Sequence, residues 1–91
     1  MVPLQNFATG VLGEIIRRQP PSPARTSFAW SVAVGPALAR STTATLTGAV
    51  LQIRARDPRW AKEVERARDT ILKRMQDLLG RDSVVRMEIA G

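Results

Sequence analysis

The chain has 91 residues, a formal net charge of +6, and neither cysteine nor histidine. This length suits one domain with one hydrophobic core, and the missing residue types exclude disulfides, thiolate metal sites and the commonest acid or base near neutral pH. No apolar run approaches the roughly 20 residues that cross a bilayer, so we expect no membrane partner. Together with the missing residue types, this favours a single non-enzymatic domain in a reducing cytoplasm, without cofactor or small-molecule substrate.

Apolar residues at helical spacing begin the chain. Over residues 3–18, side chains three or four positions apart share one face, which predicts an amphipathic helix. Residues 19–23 contain three prolines, so they are predicted to end this helix and to form a loop within the same domain. The stripe predicted to face the core consists of Leu4, Phe7, Val11 and Ile15, and Leu12 and Ile16 widen it.

A second helix is predicted over residues 24–39, with Phe28 as one of its buried apolar anchors. Gly35 and Pro36 interrupt this segment. The ring of Pro36 removes one backbone donor and crowds the preceding turn. We therefore expect either a kink or two shorter helices.

The clearest strand signal lies in residues 43–56, on either side of Gly48. A glycine at the first position of a two-residue loop suits a type II′ turn, which fixes the register of the flanking strands. In that register Leu46 faces Leu51, and the apolar side chains share one face of the hairpin. The polar side chains share the other face: Thr43, Thr45, Gln52 and Arg54.

One long helix is predicted over residues 57–79, because Asp57 is a favoured N-cap and Pro58 a favoured first helical residue. A final strand is predicted over residues 83–89, with Val85, Met87 and Ile89 on one side. The element order is then α-α-β-β-α-β. The predicted fold class is α+β, a three-stranded sheet with its helices packed on one face.

The positive charge is concentrated in the first part of the chain. Residues 1–56 carry six arginines and one acid, whereas residues 57–91 carry eight basic and seven acidic residues. Such a bias favours a polyanionic partner, usually nucleic acid. The alternatives are a solvated polar face and a charge that serves solubility alone. The candidate contacts lie near the polar sheet face and the start of the last helix: Arg40, Arg54, Arg56, Arg59, Lys62 and Arg86.

Two tryptophans could stack on nucleic-acid bases if they were exposed. Trp30 and Trp60 both lie at helical spacing among aliphatic residues. We therefore favour core packing for each, with a hydrogen-bond partner for any buried indole nitrogen. The sequence offers no activated nucleophile and no glycine-rich phosphate loop with a lysine, so binding is favoured over catalysis.

Short motifs follow one another along most of the chain: Leu12-Gly13-Glu14-Ile15-Ile16, Trp30-x-x-x-Val34-Gly35-Pro36-x-Leu38-Ala39, Gly48-x-x-Leu51-x-Ile53, Trp60-Ala61-x-Glu63-Val64, Leu79-Gly80 and Val84-x-x-Met87. None of these motifs is specific alone. Their order and spacing together resemble the DciA family of bacterial replicative-helicase loaders.

This resemblance implies a KH-like domain and a role in chromosome replication. The protein would bind DNA, single-stranded or forked, and contact the DnaB-type hexameric helicase to promote its loading. Residues 40–44 lack the His and Pro that the family often shows, and the Gly-x-x-Gly loop of typical KH domains is missing. The basic side chains would therefore supply most of the DNA affinity. The alternatives are an RNA-binding KH-like module and a protein-interaction adaptor that binds no nucleic acid.

Overall fold

A computed structural model describes the backbone of residues 4–90 and the side chains of residues 11–90. In this part of the chain the helices pack on one face of a three-stranded sheet, which confirms the predicted α+β class. The helices and strands are α1 (Leu4–Arg18), α2 (Pro23–Val34), α3 (Pro36–Ser41), β1 (Thr42–Thr47), β2 (Val50–Ala55), α4 (Pro58–Arg66), α5 (Arg68–Leu79) and β3 (Arg86–Ala90).

The sheet has the order β1-β2-β3, with an antiparallel β1–β2 pair and a parallel β2–β3 pair. The predicted hairpin register is confirmed, since Leu46 pairs with Leu51 and Thr43 pairs with Arg54. Gly48 has a φ of 60°, whereas Ala49 does not have a positive φ. This combination is the one that a type II′ turn requires.

The second predicted helix is divided, as Gly35 and Pro36 indicated. α2 ends at Val34 and α3 begins at Pro36, while Gly35 between them adopts a φ of 88°. The prediction of one helix over 57–79 is wrong, because the chain leaves helical geometry at Ala67, where φ is −103° and ψ is 16°. Neither glycine nor proline marks this break in the sequence.

The last strand is shorter at its start than predicted. Pairing begins at Arg86 rather than at residue 83, and before it the Val85 amide donates to the Ala49 carbonyl at 2.8 Å. Val84 is buried and Val85 is exposed, so the side predicted for Val85 is wrong. Alternation predicts the side of a side chain only within the paired strand, which Val85 precedes. Met87, which lies within the strand, does face the core.

The core lies between the sheet and the helices. Leu51 and Ile53 of β2 are fully buried, and Met87 of β3 lies beside Leu51. α2 packs on β1, and α4 packs on β2 and β3. Trp30 is buried in this core, as predicted, and its indole nitrogen donates to the Thr42 hydroxyl at 2.8 Å.

The face that α1 turns to the core agrees with the predicted stripe only in part. Ile16 is buried and Leu12 packs against the core, whereas Val11 and Ile15 are 47% and 52% exposed. A Cβ built on Gly13 would lie 3.2 Å from the Asp77 carbonyl of α5. α1 therefore approaches α5 through Gly13, and this contact turns Val11 and Ile15 outward. Pro3, included in the predicted helix, lies outside the described residues, as do the side chains of Leu4 and Phe7.

Two aromatic side chains expected in the core lie outside it. Phe28 is 50% exposed, because α2 faces the core through Ala29 and Ala33 together with Trp30. Trp60 is half-buried and does not belong to the core cluster. It lies in the first turn of α4, one turn before the buried Val64, at the margin of the core.

Candidate nucleic-acid interface

The outer face of the sheet carries the polar side chains of the hairpin. Thr43 and Thr45 of β1 and Gln52 and Arg54 of β2 are exposed there, opposite the helical layer. Alternation along two paired strands places them on one side. The predicted sorting of the hairpin into an apolar inner and a polar outer face is thus present.

Four of the predicted cations lie on backbone segments that meet at one end of this sheet, which we call the basic end: Arg40, Arg54, Arg56 and Arg59. The Arg56 amide donates to the Ser41 carbonyl at 2.9 Å, which brings the end of α3 beside the end of β2. α4 then begins only two residues after Arg56. All four side chains are exposed. Lys62, also exposed, follows on α4 one turn after Arg59.

Arg86, the sixth predicted cation, lies at the other end of the outer face. It pairs with Val50 beside the hairpin turn, four positions along β2 from Arg54. At a strand rise of roughly 3.3 Å per residue, this places it about 13 Å along the sheet from Arg54. Its guanidinium also lies 3.5 Å from the Glu88 carboxylate. Arg86 is therefore separate from the basic end, and part of its charge is balanced.

The cations of the basic end are weakly compensated. Among residues 11–90, no carboxylate lies within 4 Å of Arg54, Arg56 or Lys62. Arg59 has only a 3.9 Å contact to Asp57, with its side chain 90% exposed. The Arg40 Nε donates to the Pro36 carbonyl at 3.3 Å, and the two terminal nitrogens of its guanidinium take no part in this bond. Exposed guanidinium groups of this kind can form bidentate bonds to phosphate oxygens.

The amides that begin α4 are occupied. The Asp57 carboxylate accepts from the Arg59 amide at 2.9 Å and from the Trp60 amide at 3.3 Å. An N-cap of this kind uses the same donors that would otherwise attract an anion. Phosphate binding at the basic end would therefore depend on side chains rather than on the helix N-terminus.

Three other arginines serve the fold, a use that the sequence did not reveal. Arg17 donates to the Asp77 carbonyl, Arg68 to the Met87 carbonyl, and Arg74 to the Ala33 carbonyl. Each bond joins α5 to another helix or strand, namely α1, β3 or α2. No spacing rule in the sequence separates these arginines from those at the basic end, because the carbonyls that they reach are distant along the chain.

One ion pair, Glu65 with Arg68, shifts the pKa values of both its members. Arg68 makes a bidentate contact to Glu65, with N–O distances of 3.0 and 2.7 Å. This hydrogen bonding lowers the pKa of the Glu65 carboxyl, and it raises the pKa of Arg68. The pair spans the break at Ala67 and lies away from the basic end.

Within residues 4–90, no group of three or more acidic side chains is placed to hold a metal ion. Over the same residues, no helix combines the length and the apolar character needed to cross a membrane. What the described side chains offer instead is a cluster of exposed cations beside a polar sheet face, which is suited to holding an anionic polymer.

These features define a small α+β domain with an exposed basic end and a sheet whose outer face is covered by none of the described helices. A family model described as "Dna[CI] antecedent, DciA" matches residues 4–89, nearly the whole chain, and the protein belongs to the DciA family. This family is associated with loading of the DnaB-type helicase in DNA replication, as an accessory protein rather than as an enzyme. No curated protein matches the chain.

Proposed function

We propose that this protein binds single-stranded DNA through the basic end and holds it near the DnaB-type replicative helicase, so that the helicase is loaded onto the strand. The observation that carries the DNA-binding part is that Arg40, Arg54, Arg56 and Arg59 are all exposed on backbone segments that meet at one end of the sheet. These residues come from α3, β2, the short connection after β2 and the start of α4, so the fold brings together segments from separate parts of the chain.

The role would be bridging rather than chemistry. Phosphate contacts from Arg and Lys supply affinity without reading sequence. The outer sheet face beside them presents Thr43, Thr45 and Gln52, whose hydroxyl and amide groups add hydrogen bonds. This face has no aromatic side chain among the described residues, so base stacking on it would contribute little.

The helicase contact would use the opposite side of the molecule. Val11, Ile15 and Phe28 are each about half exposed on the helical layer, away from the outer sheet face. Exposed apolar side chains are typical anchors of protein interfaces. Since these apolar residues lie on α1 and α2, whereas the basic end is formed by other segments, DNA and helicase could be held at the same time.

The DNA-binding part is tested by titrating labelled single-stranded DNA, duplex DNA and RNA at two salt concentrations. The charge reversal Arg54→Glu/Arg56→Glu should weaken single-strand binding by more than about tenfold at low salt and reduce the log–log salt slope by about 1.4, at roughly 0.7 per contact. The matched control is Lys73→Glu/Arg81→Glu, which makes the same charge change at two exposed residues outside the basic end.

If both double variants lose the same affinity, net charge rather than the basic end is responsible. Equal or tighter binding of RNA would favour an RNA-binding module. Failure of the wild type to bind any of the three polymers at low salt would leave only a protein-interaction adaptor.

The helicase part is tested separately with the cognate hexameric helicase in a pull-down. Ile15→Asp places a charge on an already exposed position, so the fold should survive. We expect this variant to lose helicase binding and to keep DNA binding, and Arg54→Glu/Arg56→Glu to do the reverse. Helicase binding by Ile15→Asp at wild-type level would remove α1 from the proposed contact.

A further inference from the structure

The outer edge of β1 is an unpaired strand edge. β1 pairs with β2 on one side, and no strand among residues 4–90 pairs with its other side. Its inward side chains Ala44 and Leu46 are only partly buried, whereas their partners Ile53 and Leu51 on β2 are fully buried. The difference shows that the core is open along this edge.

Strand edges of this kind are usually protected by charged side chains, proline or a bulge. β1 reads Thr-Thr-Ala-Thr-Leu-Thr, without a charge or a proline, and its six pairs with β2 run without interruption. Threonine is also among the residues that favour strands most. The other edge strand, β3, differs because it carries Arg86 and Glu88. β1 is thus the edge strand that lacks these protective features and is suited to pairing with a further strand.

We infer that β1 pairs antiparallel with β1 of a second copy of this chain, forming a six-stranded sheet around a two-fold axis. Residues that lie directly opposite each other in antiparallel strands turn their side chains to the same face of the sheet. The two-fold axis must therefore pass through a residue position rather than between two positions. An axis at Thr45 places Thr45 opposite its own copy and Ala44 opposite Leu46 of the second copy. The apolar side chains then meet on the helical side.

A second copy fits this edge because the pattern of β1 is complementary to itself. Pairing covers the partly buried Ala44 and Leu46 with the same residues from the other chain. The charge of +6 does not prevent it. In this register the two Arg54 residues lie about 20 Å apart, from the spacings of neighbouring strands and of residues along them. That separation exceeds the screening length of about 8 Å at physiological ionic strength.

The dimer would be weak, since one pair of short strands forms an interface smaller than stable dimers have. Its dissociation would therefore be seen in sedimentation velocity over a wide protein concentration range, without DNA. This proposal is independent of the proposed function, because the experiment contains neither nucleic acid nor helicase. The two can succeed or fail separately.

Two exposed positions give a matched pair of variants. Thr45→Lys would place two ammonium groups opposite each other at the axis, and like charges at directly opposed positions destabilise strand pairing. Gln52→Lys adds the same charge on the same face one strand inward. We expect Thr45→Lys to weaken dimerisation by at least about fivefold, which corresponds to roughly 1 kcal/mol, and Gln52→Lys to resemble the wild type.

A second measurement uses the absence of cysteine from the sequence. In Thr45→Cys the only two thiols would face each other across the axis, so mild oxidation should give a disulfide-linked dimer. Glu88→Cys, on the other edge strand, should give much less. A wild type that stays monomeric at the highest soluble concentration would overturn the proposal. So would equal dimerisation of the two lysine variants, or equal cross-linking of the two cysteine variants.

Discussion

At the scale of single residues, two groups of arginines differ in what their guanidinium groups contact. Arg17, Arg68 and Arg74 donate to carbonyls of distant elements and so join parts of the fold. Arg54 and Arg56 have no carboxylate nearby among the described side chains and face water. Loss of an arginine from the first group should therefore reduce stability, and loss of one from the second should reduce polyanion binding.

Trp30 connects α2 to the start of the sheet. Its indole nitrogen donates to the Thr42 hydroxyl, which in turn donates to the Leu38 carbonyl at 2.6 Å. Trp30→Phe removes the first donor and leaves a small cavity, so the free energy of unfolding should fall by about 1–3 kcal/mol.

The control for Trp30→Phe is Trp60→Phe, because Trp60 is half-buried outside the core cluster. Urea denaturation should show a loss of less than about 1 kcal/mol for this second variant, as for other substitutions away from the core. Equal losses for the two variants would show that the two indoles contribute alike.

The Glu65–Arg68 pair gives a pH dependence. Hydrogen bonding by Arg68 lowers the pKa of Glu65 in the folded state, so the pair stabilises the fold above the unfolded-state pKa of the carboxyl. This contribution is lost as pH falls through the lowered pKa. Glu65→Gln should thus lower the urea midpoint at neutral pH, and the gap to the wild type should close in acid. A gap that persists unchanged at low pH would contradict this origin.

At the scale of elements, the hairpin was predictable to the residue because two independent signals agree. Gly48 at the first turn position sets the register, and only that register separates Leu46 and Leu51 from Thr45 and Gln52. A slip by one residue would turn every side chain of one strand to the other face. Where one signal acts alone, as for the start of β3, the sequence predicted the element but not its boundary.

The errors in the helices have a common physical cause. Val11 and Ile15 are as apolar as Leu12 and Ile16, so periodicity could not decide which pair faces the core. The contact between Gly13 and α5 decides it, and that contact is set by tertiary packing. The break at Ala67 likewise follows from how α4 and α5 pack on different parts of the sheet and helices. Neither glycine nor proline, the two residues that break helices most strongly, announces it.

Gly48 offers a test of the hairpin at this scale. Its φ of 60° lies in the left-handed region, and a Cβ there would meet no other atom within 4 Å. Gly48→Ala should therefore cost about 1 kcal/mol from backbone strain alone. Gly48→Asn should cost less, because asparagine tolerates positive φ. Thermal or urea denaturation of both variants measures the difference, and an alanine variant more stable than the asparagine variant would contradict the turn assignment.

At the scale of the whole molecule, the candidate interface was predictable in composition but only partly in grouping. The sequence indicated Arg54, Arg56 and Arg59 because they follow one another around the end of a strand. The Ser41–Arg56 backbone bond, which brings Arg40 beside them, continues the predicted hairpin register by one pair beyond Thr42–Ala55. The position of Arg86 at the far end of the sheet depends on strand order, which the sequence left open.

The position of each element in the packing predicts its local stability. β2 is hydrogen-bonded on both sides and covered by α4, whereas α1 packs chiefly on α5. Amides of β2 should thus open only with global unfolding, and amides of α1 should exchange at a lower opening free energy. Native-state hydrogen exchange measures this order. Protection of α1 equal to that of β2 would show that the helix unfolds with the sheet.

The parallel pairing of β3 with β2 also affects how the molecule is made. The hairpin partner of β2 precedes it directly, but its other neighbour arrives 36 residues later, as in the Val50–Arg86 pair. Long-range pairing of this kind forms late, because a large loop must be closed before any contact compensates for the lost chain entropy. During synthesis on the ribosome we therefore expect a period in which the β1–β2 hairpin has formed while the edge of β2 that will pair with β3 is still unpaired. A chaperone that shields extended apolar strands would find its target in that interval.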